Sequence, residues 1–157
     1  MVNFYQMSSS SRSTQSDEGS REHLASLSKA LLALHKTLLE SERIGYEESF
    51  GKIATPAVFF QLVMGDPWFA WLRTLSEFIV LIDERLDEKK RPVTGQEVGE
   101  FAARARALLT PQEGGVGFGL HYHNAMQRDP DVILAHAGMV KLLSSLQDPD
   151  AAPWPRH

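Results

Sequence analysis

The stretch HYHNAMQRDPDVILAH, from His121 to His136, holds three of the chain's six histidines, side chains that suit metal binding and proton transfer. Two residues of a helix chelate one ion only when they are three or four positions apart, because their side chains then share a face. His121 and His123 are two positions apart and would diverge on a helix. The sequence also has no His-x-x-His, His-x-x-x-His or Glu-x-x-His pattern. We therefore expect no metal or other cofactor.

An extended backbone would reverse that argument for His121 and His123. In VGFGLHYH, residues 116–123, every second residue is apolar, and in a strand the two imidazoles would share a face and could bind a metal together. A strand needs a partner strand, however, and no other segment has the pattern of one. We predict a helical or irregular segment here and keep the two histidines as the alternative metal ligands.

Four polar side chains fall on helical stripes that should face the core. His136 belongs to the apolar stripe of its segment, and His35, Glu42 and Tyr46 belong to that of the first long helix. Buried polar groups must find partners, so we expect a hydrogen-bonded network around them. The alternative is a pocket between helices in which His35, Glu42, Tyr46 and His136 bind a small ligand or a metal.

Enzymatic chemistry has little support in this sequence. It contains no G-x-S-x-G nucleophile motif and no phosphate-binding G-x-x-x-x-G-K-[ST] loop. Isolated histidine and glutamate pairs can perform acid–base catalysis, which leaves an enzyme built on the same pocket as a third possibility. We expect a non-enzymatic protein.

The segment VFFQLVMGDPWFAWL, residues 58–72, is the most apolar part of the chain. Its large side chains cannot all enter one face of a helix, so it is either a core element covered on both sides or a contact with another subunit. We predict one helix that ends near Met64 and a second that begins at Pro67, rather than a single kinked helix. The candidates for the interface, which would form a homodimer, are Phe59, Phe60, Trp68, Phe69 and Trp71.

Composition excludes several further classes of function. The net charge of −4 argues against nucleic-acid binding, and no run of about 18 apolar residues could span a membrane. The first residues do not resemble a secretory signal, and the chain has no cysteine, so we expect a cytoplasmic protein. Any partner other than a second copy would be an unidentified protein.

Four acidic residues lie in the last turns of the helix that follows Pro67, and we expect their carboxylates to face solvent. Asp87 lies four residues before Arg91, a spacing that favours an ion pair on a helix. The other three acidic residues are Asp83, Glu84 and Glu88.

Start signals divide the chain into helices. Ser, Thr and Asp favour the position before a helix, especially with proline in the first turn or glutamate three residues later. We place helix starts at Ser20, Thr55, Asp66, Thr94 and Asp129.

The fold class that follows is all-α. We predict an up-down bundle of about four main helices with one or two short extra helices, formed by residues 20–147. Residues 1–19 are serine-rich and we expect a disordered N-terminal tail; residues 148–157 form a proline-rich C-terminal tail. The core of the first helix should consist of leucines at helical spacing, namely Leu24, Leu27, Leu31, Leu34 and Leu38.

Overall fold

A computed structural model of the chain describes the backbone of residues 4–146 and the side chains of residues 17–146. Over that range every regular element is a helix, which confirms the all-α class. The predicted C-terminal tail, residues 148–157, lies outside the described residues. The elements are α1 (Phe4–Phe50), α2 (Pro56–Gly65), a 3-10 helix (Pro67–Leu72), α3 (Arg73–Asp87), α4 (Gly95–Leu108), α5 (Phe118–Arg128) and α6 (Pro130–Ser145).

Helix α1 is the central element of the fold. Its five predicted core leucines are 0–1% exposed, and they face α3, α4 and α6, all of which pack against α1. Burying each such side chain contributes about 1.5–3 kcal/mol. The leucine stripe is therefore a major apolar part of the core.

The structure differs from the sequence analysis at the start of α1. The helix begins at Phe4 and not at Ser20, which lies inside the helix instead of capping it. The disorder of residues 1–19 stays a prediction. Serine lowers helix propensity by only a few tenths of a kcal/mol, and residues 4–18 contain neither proline nor glycine. Because adding a residue to an existing helix is much easier than nucleating one, the helix extends through them.

The other predicted helix starts are formed as expected. The Oγ1 atom of Thr55 accepts a hydrogen bond from the Val58 N–H, and that of Thr94 accepts one from the Glu97 N–H. Asp129 Oδ1 accepts from the Asp131 N–H. Each bond satisfies a backbone donor that has no partner within its helix.

The chain forms two separate helices around Pro67, as we predicted. Helix α2 ends at Gly65, and Asp66 is extended and accepts a hydrogen bond from the Trp68 N–H through its side chain. The new helix begins in 3-10 geometry and becomes α-helical only at Arg73.

Arg85 fixes the connection between α3 and α4. Its buried guanidinium donates two hydrogen bonds to the Glu97 carboxylate, at 2.5 and 3.0 Å. It also donates to the main-chain oxygens of Pro92 (3.0 Å), Arg91 (3.2 Å) and Glu88 (3.3 Å). One side chain thus joins the end of α3, the connecting loop and the start of α4.

The carboxylates near the end of α3 are exposed, as predicted, but their pairing differs. Arg91 binds Glu88, with Nη2 3.0 Å from Oε2, rather than Asp87. The predicted spacing of four assumed that the helix continued to Arg91, whereas α3 ends at Asp87 and the chain turns there. Asp83 accepts a hydrogen bond from the buried Ser28 hydroxyl of α1.

No helix among residues 4–146 combines the length and the hydropathy that a membrane crossing requires.

Candidate functional site

The histidines that raised the possibility of a metal site lie on a helix. Helix α5 begins at Phe118, after Gly117 with a φ of 80°, so the extended alternative for residues 118–123 is wrong and His121 and His123 point in different directions. The ring of His121 stacks on Trp71, with centroids 5.4 Å apart and planes 18° apart. Within residues 17–146, no three His, Asp or Glu side chains are grouped so that they could hold a metal ion.

His136 is paired with a tyrosine that sequence reasoning did not identify. Its Nδ1 atom lies 2.7 Å from the hydroxyl of Tyr122, and both side chains are buried between α5 and α6. Burial raises the pKa of Tyr122, because an ionised phenolate would lose its hydration. The phenol therefore stays protonated and can donate its O–H to the imidazole, as the prediction of a buried hydrogen-bonded network requires.

Glu42 is buried and forms an ion pair with Arg128, whose side chain stays 43% exposed. The carboxylate is almost fully buried, and its Oε1 atom accepts a hydrogen bond from Arg128 Nη2 at 2.6 Å. The same nitrogen donates to the Ser41 hydroxyl at 3.3 Å. A small cavity of about 240 Å³ lies beside this group, between the end of α1 and Asp129. The ion pair compensates a buried charge that would otherwise be costly.

Tyr46 belongs to an aromatic cluster at the C-terminal end of α1. Its ring centroid lies 4.9 Å from that of Phe50, 5.6 Å from that of Phe69 and 5.9 Å from that of Trp68. The indole N–H of Trp68 donates to the main-chain oxygen of Glu42 at 3.2 Å. Aromatic packing here fixes the 3-10 helix against α1.

His35 is half-buried on α1, and burial lowers its pKa because the protonated imidazole is poorly solvated there. The other three candidate residues of the predicted pocket each have a different main contact. Glu42 binds Arg128, Tyr46 packs in the aromatic cluster and His136 binds Tyr122. Each of these three side chains thus has a partner among the described residues.

The five interface candidates divide by exposure. Phe69 is 1% exposed and belongs to the core, while Phe59, Trp68 and Trp71 are half-buried against it. Phe60 is 65% exposed. Of the five, Phe60 alone therefore presents most of its surface to solvent.

Helix α2, which carries Phe60, has an unusual combination of composition and exposure. Its sequence, PAVFFQLVMG, contains no charged residue, yet none of its side chains is buried. Met64 is 60% exposed and Val58 is 40% exposed. Phe59, Leu62 and Val63 are partly buried against the core, so the exposed apolar surface is the outer face of this helix.

The chain matches no protein-family model, no curated protein and no solved structure with which it was compared.

Proposed function

We propose that this chain is a non-enzymatic helical protein that acts through protein–protein contact, and that its partner is a second copy of itself. In this proposal α1, α3, α4 and α6 form the up-down bundle, and the outer face of α2 is the contact between copies. We expect it to work in the cytoplasm.

The observation that carries this proposal is the exposure of α2. Phe60 and Met64 are four residues apart, so they share one face of the helix, and both keep at least 60% of their surface exposed. Covering apolar surface is favourable by about 25 cal/mol per Å². A partner that buried this face would thus gain from a surface that the bundle itself leaves uncovered.

The absence of charge on α2 favours a second copy as the partner. In a two-fold dimer the same patch meets itself, so any charged residue near the axis would face its own copy. Helix α2 has no charged residue and avoids this repulsion. The outer face of α3, in contrast, carries exposed Glu77 and Glu84 and would repel a second α3.

The expected dimer is weak. A stable interface buries roughly 800 Å² on each partner, whereas one phenylalanine supplies at most about 250 Å². Phe60 and Met64 together provide only part of that area. We therefore expect dimers that dissociate on dilution.

Sedimentation velocity over a series of protein concentrations tests the proposal. The wild-type chain is expected to change from monomer to dimer as concentration rises, and Phe60→Glu is expected to stay monomeric because it places two carboxylates in the contact. Ala103→Glu is the matched control, since it adds the same charge at an exposed position of α4. Circular dichroism should give the same helix content for all three proteins.

Two results would contradict the proposal. A wild-type chain that is monomeric at every concentration would exclude the second copy as partner. A dimer that resists Phe60→Glu but dissociates with Leu134→Glu would move the contact to α6, where Leu134 is 71% exposed.

The alternative function, a pocket for a small ligand or metal formed by His35, Glu42, Tyr46 and His136, has less support. Glu42 already pairs with Arg128, and His136 with Tyr122. Elemental analysis of the purified protein tests the metal form of this alternative, because a bound metal would appear in stoichiometric amount.

A further inference from the structure

A groove separates α3 from α4. Both helices pack on α1, but few of their backbone positions approach each other, and the space between them has a volume of about 640 Å³. That volume is within the range of small-molecule sites in proteins. Its apolar lining consists of Phe78, Leu81, Ala107 and Leu108.

Arg104 provides a cation beside this apolar surface. Its guanidinium carbon lies 5.2 Å from the centroid of the Phe78 ring, a cation–π contact that holds the group at the groove. Among the described residues it has no carboxylate partner, in contrast to Arg43, Arg85 and Arg128. Stacking occupies a face of the guanidinium and leaves its N–H edge available for a carboxylate, which it can bind through two parallel hydrogen bonds.

We propose that this groove binds an amphiphilic monocarboxylate, a molecule with one carboxylate and an aliphatic or aromatic body. The carboxylate binds Arg104, and the body lies on Phe78 and Leu81. A shallower extension of about 330 Å³ continues along α3 past Val80, so an alkyl chain has room beyond Leu81. This site is separate from the α2 face and does not depend on the proposed dimer.

Glu77 sets the expected strength and position of binding. It lines the groove from α3, and no cation among residues 17–146 pairs with it. Its negative charge opposes an anionic ligand, so the carboxylate is confined to the Arg104 side. The two charged residues therefore predict opposite effects: removing Arg104 weakens binding, and removing the charge of Glu77 strengthens it.

Sodium decanoate is a suitable probe, used below its micelle concentration and measured by calorimetry and by amide chemical shifts. We expect shifts at α3 and α4 and weaker binding of decanol and of decyltrimethylammonium, which have the same chain without a carboxylate. Arg104→Gln should lower the decanoate affinity about tenfold, because a charge-assisted hydrogen bond is lost. Glu77→Gln should raise it, and Arg73→Gln, at an exposed arginine outside the groove lining, should leave it unchanged.

Several results would overturn the inference. Equal binding of decanoate and decanol, or equal affinities of Arg104→Gln and Arg73→Gln, would show that no carboxylate is recognised. If decanoate does not bind and the α3 and α4 amides shift only with protein concentration, the groove is a protein contact. Repeating the titration with Phe60→Glu keeps the two proposals distinguishable, because that variant should bind decanoate like the wild-type chain.

Discussion

Replacing Arg85 with methionine tests whether one buried guanidinium holds α3, the connecting loop and α4 together. The side chain is 6% exposed and donates five hydrogen bonds, of which two reach the Glu97 carboxylate. Breaking a fully buried ion pair costs about 3–5 kcal/mol. Glu97 retains 20% exposure and can be partly rehydrated, so we expect Arg85→Met to lower the free energy of unfolding by about 2–3 kcal/mol.

Urea unfolding followed by circular dichroism at neutral pH measures this loss. Arg91→Met is the matched control, because the Arg91–Glu88 pair is exposed on both sides, at 61% and 50%. Exposed ion pairs contribute about 0.2–1 kcal/mol, so the control should change stability little. Equal losses in Arg85→Met and Arg91→Met would refute the reasoning, because burial would then make no difference.

The stability difference between wild type and Arg85→Met should also depend on pH. The hydrogen bonds from Arg85 are the main cause of the lowered pKa of Glu97 in the folded chain. A carboxyl group with a depressed folded pKa stabilises the fold above its unfolded pKa, and this contribution is lost as the pH falls through the folded pKa. The difference in stability between wild type and Arg85→Met should therefore stay constant from pH 7 to the ordinary pKa of glutamate and narrow as the pH falls below it.

Two further substitutions test local features of the fold. Tyr122→Phe should lower the free energy of unfolding in urea by about 1–2 kcal/mol, because it removes the buried partner of His136 Nδ1. The control Tyr46→Phe should be nearly neutral. Equal losses in the two variants would mean that the buried hydrogen bond does not contribute to stability. Gly45→Ala should raise the melting temperature, since a Cβ there meets its nearest atom at an ordinary 3.4 Å and alanine is favoured in helices by about 1 kcal/mol. Gly51→Ala should lower it, because φ is 94° there; shifts of the same sign in the two glycine variants would contradict this argument.

Features that depend on neighbouring residues could be predicted from the sequence. The leucine stripe of α1 and the caps at Thr55, Thr94 and Asp129 each depend on residues a few positions apart, so the spacing of those residues in the sequence is enough to predict them. The helix over residues 118–128 could also be predicted, although its alternating pattern resembles that of a strand.

Pairings between distant residues could not be predicted in this way. Glu42 and Arg128 are 86 residues apart in the sequence, and they meet only because the end of α5 lies beside α1. Periodicity indicates that Glu42 faces inward but not which helix lies opposite. The sequence analysis therefore predicted the burial of Glu42 without its partner.

Glu97 takes part in both a local motif and a tertiary contact. The sequence places it three residues after Thr94, the spacing of a capping box, in which its carboxylate would return to the Thr94 N–H. The Thr94 side chain forms its half of the motif, and a main-chain hydrogen bond from Thr94 helps to lower the pKa of the Glu97 carboxylate, which also binds Arg85. A buried guanidinium is the stronger partner because both groups are charged.

Helix α2 has few contacts with the rest of the fold, so it should be able to open locally. The main neighbour of α2 is the 3-10 helix. If α2 lost its contacts, the leucine core of α1 would still be covered by α3, α4 and α6. Segments with few buried contacts open at a small fraction of the global unfolding free energy. Amide protons of α2 should therefore exchange with solvent through local opening while those of α1 stay protected, so a partner could reshape this helix without melting the rest of the domain.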